Sequence, residues 1–276
     1  MRKRVNYDEI GCWSEAKLDI VRDYATEYSK ILAKQPRLYH VYIDAFAGAG
    51  VHVAKTSRRF VPGSPVNALN IAPPFREYFF IDLDRQKVES LRERVAAHDN
   101  VHLYEGDCNG ILLEKVFPNV QWAHYRRALC LLDPYGLHLN WEVIETAGKM
   151  KTVEVFLNFP VTDMNRNVLW RVPENVSPQQ IERMDAFWGD RSWREAAYTT
   201  EGNLFGYEEK VSSDDIARAF QRRLREVAGF EHVPDPIRMR NTTGHTLYYL
   251  FFASQRPVAD HIVSHIFDKY RKQGAE

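Results

Sequence analysis

An α/β protein with a mostly parallel sheet is what this sequence predicts, and three observations predict it. Five short runs rich in β-branched and aromatic residues alternate with helical stretches between positions 39 and 160. A glycine-rich turn directly follows the first of these runs, the place where an open parallel sheet keeps its ligand crevice. Late in the chain, runs at Ile237–Arg240 and Thr246–Ser254 are joined by Thr242, Thr243 and Gly244, the pattern of a hairpin that adds an antiparallel strand.

The elements follow in order. Leu18, Val21, Ala25, Tyr28 and Leu32 recur at helical spacing after Ser14, a residue type suited to an N-cap. Lys17, Asp19, Arg22 and Glu27 fall mostly on the other side, and Pro36 ends the helix. His40–Ala47 is the first strand and runs into Gly48 and Gly50. Positions 51–63 are polar, basic and without periodicity, and Gly63, Ser64 and Pro65 turn into a short helix over Val66–Ile71. Then come strand Glu77–Leu83, helix Arg85–His98, strand Val101–Gly106, helix Ile111–Phe117, strand Ala128–Leu132, helix Trp141–Met150 and strand Val153–Asn158. From Val161 to Gly206 the strand signal vanishes, which marks a helical insertion carrying Trp170, Trp188 and Trp193. Ser212 and Asp215 have capping-box spacing before a helix over Ile216–Val227, and a last helix follows Pro257. A single domain over 1–276 is expected: an N-terminal helix (1–38), a core (39–160), the insertion (161–210), and the rest of the sheet with the last helix (211–276).

Four acidic residues fall at or just past strand ends, where such sheets bind ligands. Asp44 opens the turn DAFAGAG, in which Phe46, Gly48 and Gly50 let backbone approach a ligand closely, although a glycine pair after a strand is more often only a turn. Asp82 ends the second strand, where a carboxylate can accept both hydroxyls of a ribose; Asp84, just before Arg85, suits a helix cap instead. Asp107 and Cys108 follow the third strand, where Asp after glycine is also ordinary turn chemistry. Asp133, Pro134, Tyr135 and Gly136 follow the fourth strand. Taken singly, each motif is as often structural as functional, but their occurrence in order after consecutive strands favours a site.

Over Tyr39–Pro160 these residues resemble class I methyltransferases, which implies a Rossmann-like sheet and S-adenosylmethionine as cofactor. The resemblance assigns Asp44, Gly48 and Gly50 to the methionine end, Asp82 to the ribose and Asp107 to the adenine, with Phe46 and Cys108 also in the cofactor pocket. A dinucleotide fingerprint would need a third glycine where Val53 stands. DPYG is similar to the DPPY-type motif of amino-methylating enzymes and to the DPFG of tRNA guanine N2-methyltransferases. The resemblance implies that Asp133 and the Pro134 carbonyl orient an exocyclic amine while Tyr135 stacks on the base. The missing second proline moves the aromatic residue one position earlier than in DPPY. An Asp133→Asn variant is expected to keep its melting temperature and cofactor affinity and to lose methyl transfer.

Across most of its length the chain resembles the bacterial three-Cys-motif partner (TcmP) family, through WSEAKL at Trp13–Leu18, IDAFAGAG, the Gly63–Ser64–Pro65 step, DPYG and LYYLFFAS. Such proteins look like methyltransferases associated with a companion protein bearing a three-cysteine motif. Three readings follow in order: a methyltransferase for an exocyclic amine of a nucleic-acid base, one for a small molecule or protein, and a non-catalytic or companion-dependent cofactor-binding partner. Charge is neutral, with 37 basic and 37 acidic side chains, so a nucleic-acid substrate would need a local basic patch.

Cys12, Cys108 and Cys130 are scattered and odd in number, which argues against a disulfide framework or zinc site and suits the reducing cytoplasm. No apolar h-region follows Met1–Asp8, and no later stretch approaches the roughly 18 apolar residues of a membrane span. His261 and His265 lack an evident third metal ligand and are expected to pack or face solvent. The tryptophans of the insertion are expected to pack, and the pairs Arg58–Arg59, Arg126–Arg127 and Arg222–Arg223 to lie on solvated faces.

Overall fold

A computed structural model describes residues 7–200 and 207–275. Its centre is a seven-stranded sheet. In chain order the strands are β1 (Tyr39–Asp44), β2 (Glu77–Asp82), β3 (Val101–Glu105), β4 (Arg126–Leu132), β5 (Val153–Phe159), β6 (Ile237–Arg240) and β7 (Thr246–Ala253). Their spatial order is β6-β7-β5-β4-β1-β2-β3. Strands β1 to β5 run parallel, and β7 runs antiparallel to both β5 and β6. This is the Rossmann-like class I methyltransferase sheet expected from the sequence, antiparallel hairpin included.

The sheet is covered on both sides because its central strands are apolar on both faces. Val41, Ile43, Phe79, Ile81, Cys130 and Leu157 face one core, built with the helices Trp141–Met150, Pro178–Trp188 and Ser213–Glu226. Tyr42, Tyr78, Phe80, Leu129, Phe156 and Phe252 face the other, closed by the N-terminal helix Cys12–Ala33 and the C-terminal helix Pro257–Tyr270. Phe159, Phe187 and Phe220 join the insertion to the first core through ring contacts of 4.6–5.9 Å. Trp188 and Trp193 are buried there as expected, and Trp170 is 40% exposed.

Gly148 shows how tightly the first core closes. A Cβ at that position would lie 2.0 Å from the Ala228 carbonyl oxygen. Gly148→Ala is therefore expected to lower the unfolding free energy by about 1–3 kcal/mol in urea titration, despite alanine's better helix propensity.

Several local expectations are corrected. The N-terminal helix starts at Cys12 with Gly11 as N-cap, so Ser14 sits inside the first turn and caps nothing. Positions 51–63 hold strands Val51–Ala54 and Phe60–Pro62, which form a three-stranded sheet with Glu9–Ile10. The helix expected over Ile111–Phe117 begins at Cys108 and passes through π and 3₁₀ turns to Asn119. The insertion also contains Tyr198–Thr199, paired antiparallel with Glu209–Lys210; residues 201–206 of the expected insertion lie outside the described residues. The capping box stands: Asp215 N donates to Ser212 Oγ at 3.2 Å, ahead of the helix Ser213–Glu226. No described helix is long and apolar enough to cross a membrane.

Glu154 is a carboxyl placed at the start of β5, where Tyr24 Oη and Ser254 Oγ donate to it at 2.5 and 3.1 Å. Burial raises its pKa from 4.5 to about 7 against those hydroxyl donors and Arg256. A carboxyl whose folded pKa is raised contributes stability that is full below pH 4.5 and is lost as the pH climbs through 7. Glu154→Gln removes that titration. The variant's stability relative to wild type is expected to improve by about 2 kcal/mol between pH 4.5 and 8, water in the adjoining cavity having been allowed for. Urea titrations at the two pH values measure it, and a difference that stays constant would mean Glu154 titrates normally.

Candidate functional site

The order of the strands fixes where a ligand can enter. The chain builds outward from β1 through β2 to β3, then crosses back to place β4 on the other side of β1. A crevice opens outside the carboxyl ends at that reversal. The turn after β1 and the segment after β4 form its two sides.

The turn is stitched to both neighbours, Ala45 N donating to Leu131 O and Ala47 N to Ile81 O. Gly48 has φ +62°, and nothing lies within 4 Å of where its Cβ would project, so its side-chain direction faces open space. Gly50 has φ +79°, and a Cβ there would come within 2.8 Å of Leu91. Both positions suit glycine by backbone conformation, and Gly50 by space as well. Gly63 N donates to Gly50 O at 2.8 Å, which docks the Gly63–Ser64–Pro65 step against the turn.

Asp44 is fully buried. Its Oδ1 accepts from Phe46 N at 3.2 Å, and its buried Oδ2 has no hydrogen-bond partner. Burial pushes its pKa up to about 7, opposed by the Ser64 hydroxyl and the Phe46 amide. Asp82 is half-buried, accepting from Gly48 N on Oδ2 and from Asp84 N on Oδ1, both at 2.8 Å. Each oxygen keeps a lone pair for a further donor. Asp84 caps the helix Arg85–Val95 by accepting from Gln86 N and Lys87 N, as expected.

Asp107 is exposed and caps the turn at Cys108; its Oδ1 accepts from Asn109 N and Nδ2. Burial raises the Cys108 thiol to about 12, so this cysteine serves as packing and not as a thiolate. Asn109, not singled out in the sequence, is buried and donates to His138 O while accepting from Asn140 N. Phe46, Leu83, Asp107, Cys108 and Leu137 line a cavity of about 550 Å³, with Arg183 from the insertion along its edge.

After β4, Asp133 accepts from Lys17 Nζ at 2.5 Å. Lys17 is buried, 8% exposed, and its ammonium also stands 5.1 Å from the centre of the Tyr248 ring. Helical spacing placed Lys17 on the polar side; the DPYG segment and β7 cover that side here. The Pro134 carbonyl accepts from Asn158 Nδ2 at 3.0 Å. Both acceptors assigned to an incoming amine thus have a partner already, with the second lone pairs left. Tyr135 is 72% exposed, donates to Asp8 Oδ2 at 3.1 Å, and has Lys87 Nζ 5.6 Å from its ring centre. Asp163 anchors the far end of the segment, accepting from Leu137 N at 3.1 Å and pairing with Arg183 at 3.3 Å.

Two ion pairs flank the DPYG segment, Lys17 with Asp133 at 2.5 Å and Lys87 with Asp8 at 2.7 Å, the second joined to Tyr135 through its hydroxyl. Burial lowers the His52 pKa, and its Nδ1 is buried without a hydrogen-bond partner. Asp8 directly precedes the small sheet and His52 lies in it, and that sheet has no periodic signature. Lys17 was legible as a polar-side residue of the first helix and within the WSEAKL match, but not as the partner of Asp133.

No family model matches this chain, and no curated protein matches its sequence. Among solved structures, protein LPL1258 from Legionella pneumophila is similar at 12% identity and a TM-score of 0.55, over 92% of this chain and 91% of that one. The methyltransferase domain of bacterial CtHen1 is similar at 11% identity and a TM-score of 0.40, over 85% and 99% of the two chains. The bifunctional kinase-methyltransferase WbdD is similar at 10% identity and a TM-score of 0.44, over 87% of this chain and 39% of that one. The first likeness establishes a shared fold, and the two weaker ones add nothing to that.

Proposed function

We propose that this protein is an S-adenosylmethionine-dependent methyltransferase acting on an exocyclic amine of a nucleic-acid base. The observation that carries the reading is the meeting, at the crevice between β1 and β4, of an open glycine turn with the Asp133–Pro134–Tyr135 segment. The unpaired buried Oδ2 of Asp44 and the free space beside Gly48 support an adenosyl cofactor there. Asp44, Phe46, Gly48 and Gly50 would hold its methionine end, Asp82 the ribose, and Asp107 with Cys108 the adenine. When bound, the cofactor supplies an electrophilic methyl group on a sulfonium sulfur. Asp133 and the Pro134 carbonyl orient the amine through their remaining lone pairs, and Tyr135 offers its exposed ring to the base. Exposed Phe60 and Arg59 lie on the hairpin that follows the glycine turn, where Arg58 pairs with Glu9, and would supply local contacts that net charge does not.

A second reading is favoured by the Lys17–Asp133 pair. A TcmP-type companion protein that shifts the N-terminal helix would withdraw Lys17 and free the Asp133 carboxylate, making activity companion-dependent. Labelled S-adenosylmethionine incubated with DNA, RNA and cell protein, with and without such a companion, separates these readings. Label entering protein alone would overturn the nucleic-acid assignment. No heat of binding with millimolar S-adenosylmethionine or S-adenosylhomocysteine and folded protein would overturn the cofactor assignment.

A further inference from the structure

A second cavity, of about 380 Å³, lies at the opposite end of the sheet. It is bounded by the starts of β4 and β5, at Arg127 and Val153–Glu154, and by the N-terminal and C-terminal helices. The site proposed above occupies the carboxyl ends of the same strands, so the two are separated by the length of the sheet. The volume falls within the range of small-molecule sites.

The walls are apolar and the mouth is cationic. Leu32, Leu38, Ala259 and Ile262 line it, and Ile31, Val258 and Trp122 stand at its rim 38%, 53% and 54% exposed. The guanidinium of Arg127 lies 3.6 Å from the centre of the Trp122 ring, and that of Arg256 lies 5.7 Å from it. The expectation that Arg126 and Arg127 lie on a solvated face is corrected here, since Arg126 pairs with Glu77 and Arg127 is held against Trp122. Among the described residues neither Arg127 nor Arg256 has a carboxylate within 4.0 Å. Glu154, the acid on the wall, is engaged by Tyr24 and Ser254.

A separate observation points to a ligand. Tyr28 lines the cavity, is 6% exposed, and its hydroxyl has no hydrogen-bond partner. Arg127 and Arg256 line the same cavity as Tyr28. A buried tyrosine hydroxyl without a partner is unfavourable unless something completes it.

We propose that this cavity binds a small amphipathic anion, a single-chain carboxylate whose hydrocarbon body fills the space between the two helices and whose carboxylate is held by Arg127, Arg256 and the Tyr28 hydroxyl. Arg127 donates to the Arg126 carbonyl at 2.6 Å and keeps further N–H donors, which with those of Arg256 and the Tyr28 hydroxyl can fill the lone pairs of one carboxylate. An alkyl ammonium would face like charge, and a neutral alcohol would leave the guanidiniums uncompensated. The inference is independent of the methyl-transfer reading.

The test uses the full chain and isothermal titration with decanoate, decanol and decylamine, each below micelle-forming concentrations. Decanoate is expected to bind at least tenfold tighter than decanol, and decylamine more weakly still. Tyr28→Phe removes an unpartnered hydroxyl, so its melting temperature should stay equal or rise while decanoate affinity falls at least tenfold. Arg127→Gln should give the same loss of affinity, and Val258→Trp, at the rim, should abolish binding with the fold kept by circular dichroism. Equal affinity for decanoate and decanol, no binding of decanoate at 1 mM (about −4.1 kcal/mol), or unchanged affinity in both Tyr28→Phe and Arg127→Gln would overturn the proposal. S-adenosylmethionine binding by Val258→Trp, measured alongside, reports on the other end of the sheet and keeps failure of one site apart from failure of the other.

Discussion

Asp82→Ala is expected to weaken S-adenosylmethionine and S-adenosylhomocysteine binding by at least a hundredfold. The carboxylate has two roles at the end of β2. Its free lone pairs are assigned to the ribose hydroxyls, and each charge-assisted hydrogen bond of that kind contributes roughly 1.5–3 kcal/mol. Its other lone pairs hold the amides of Gly48 and Asp84, so the alanine also releases the glycine turn from its position across β1 and β2. Loss of two ligand bonds alone gives a hundredfold or more, at tenfold per 1.4 kcal/mol. Asp84→Ala is the matched control, since it removes a helix cap that accepts from Gln86 N and Lys87 N and is expected to lower stability by about 1 kcal/mol with affinity kept. Isothermal titration of the two variants reads both effects. Affinity kept in Asp82→Ala and lost in Asp84→Ala would transfer the ribose to the neighbouring carboxylate.

The central sheet was legible because its strands are buried on both faces, so they read as continuous apolar runs with no need of alternation. Position in the sheet carried the acidic residues as well: Asp44, Asp82, Asp107 and Asp133 stand at or just past four carboxyl ends, and strand ends can be read locally. The small sheet over 51–62 was not legible, since Phe60 is 67% exposed and its other residues are mostly half-exposed or exposed, leaving no hydrophobic period to follow. Lys17 shows a different kind of loss. Its place on the helix is given by spacing, but its burial is set by Asp133, 116 residues later, and by Tyr248. Asn109, Asn158 and Asp163 were invisible for the same reason, because each acts through partners distant in sequence. Glu154 and Arg127 belong with them, as charges on strands whose value depends on what closes over their amino ends.

Asp133→Asn is expected to lower the unfolding free energy by about 3 kcal/mol, contrary to the expectation from sequence that it would leave stability unchanged. The reason is Lys17. Its side chain is 10% exposed, and the asparagine leaves its ammonium with a neutral amide in place of a carboxylate 2.5 Å away. The reverse substitution, Lys17→Met, leaves a carboxylate whose side chain is 25% exposed and reachable by water, so its effect on stability should be smaller. The double variant removes both charges and should recover most of what Asp133→Asn loses, giving a coupling energy of about 1–3 kcal/mol in a double-mutant cycle. That recovery makes the catalytic question answerable, because transfer can then be measured in a stable protein lacking the carboxylate. If Asp133 orients the amine, Lys17→Met/Asp133→Asn should bind S-adenosylmethionine as wild type does and transfer methyl groups about a hundredfold more slowly. Lys17→Met alone then separates the two readings of the pair. Transfer that rises without a companion protein means the ammonium competes with the amine for Asp133, whereas transfer that falls means Lys17 holds the carboxylate in its working position. Full transfer in the double variant would remove Asp133 from the acceptor site altogether and leave the ion pair as a clasp between the N-terminal helix and β4.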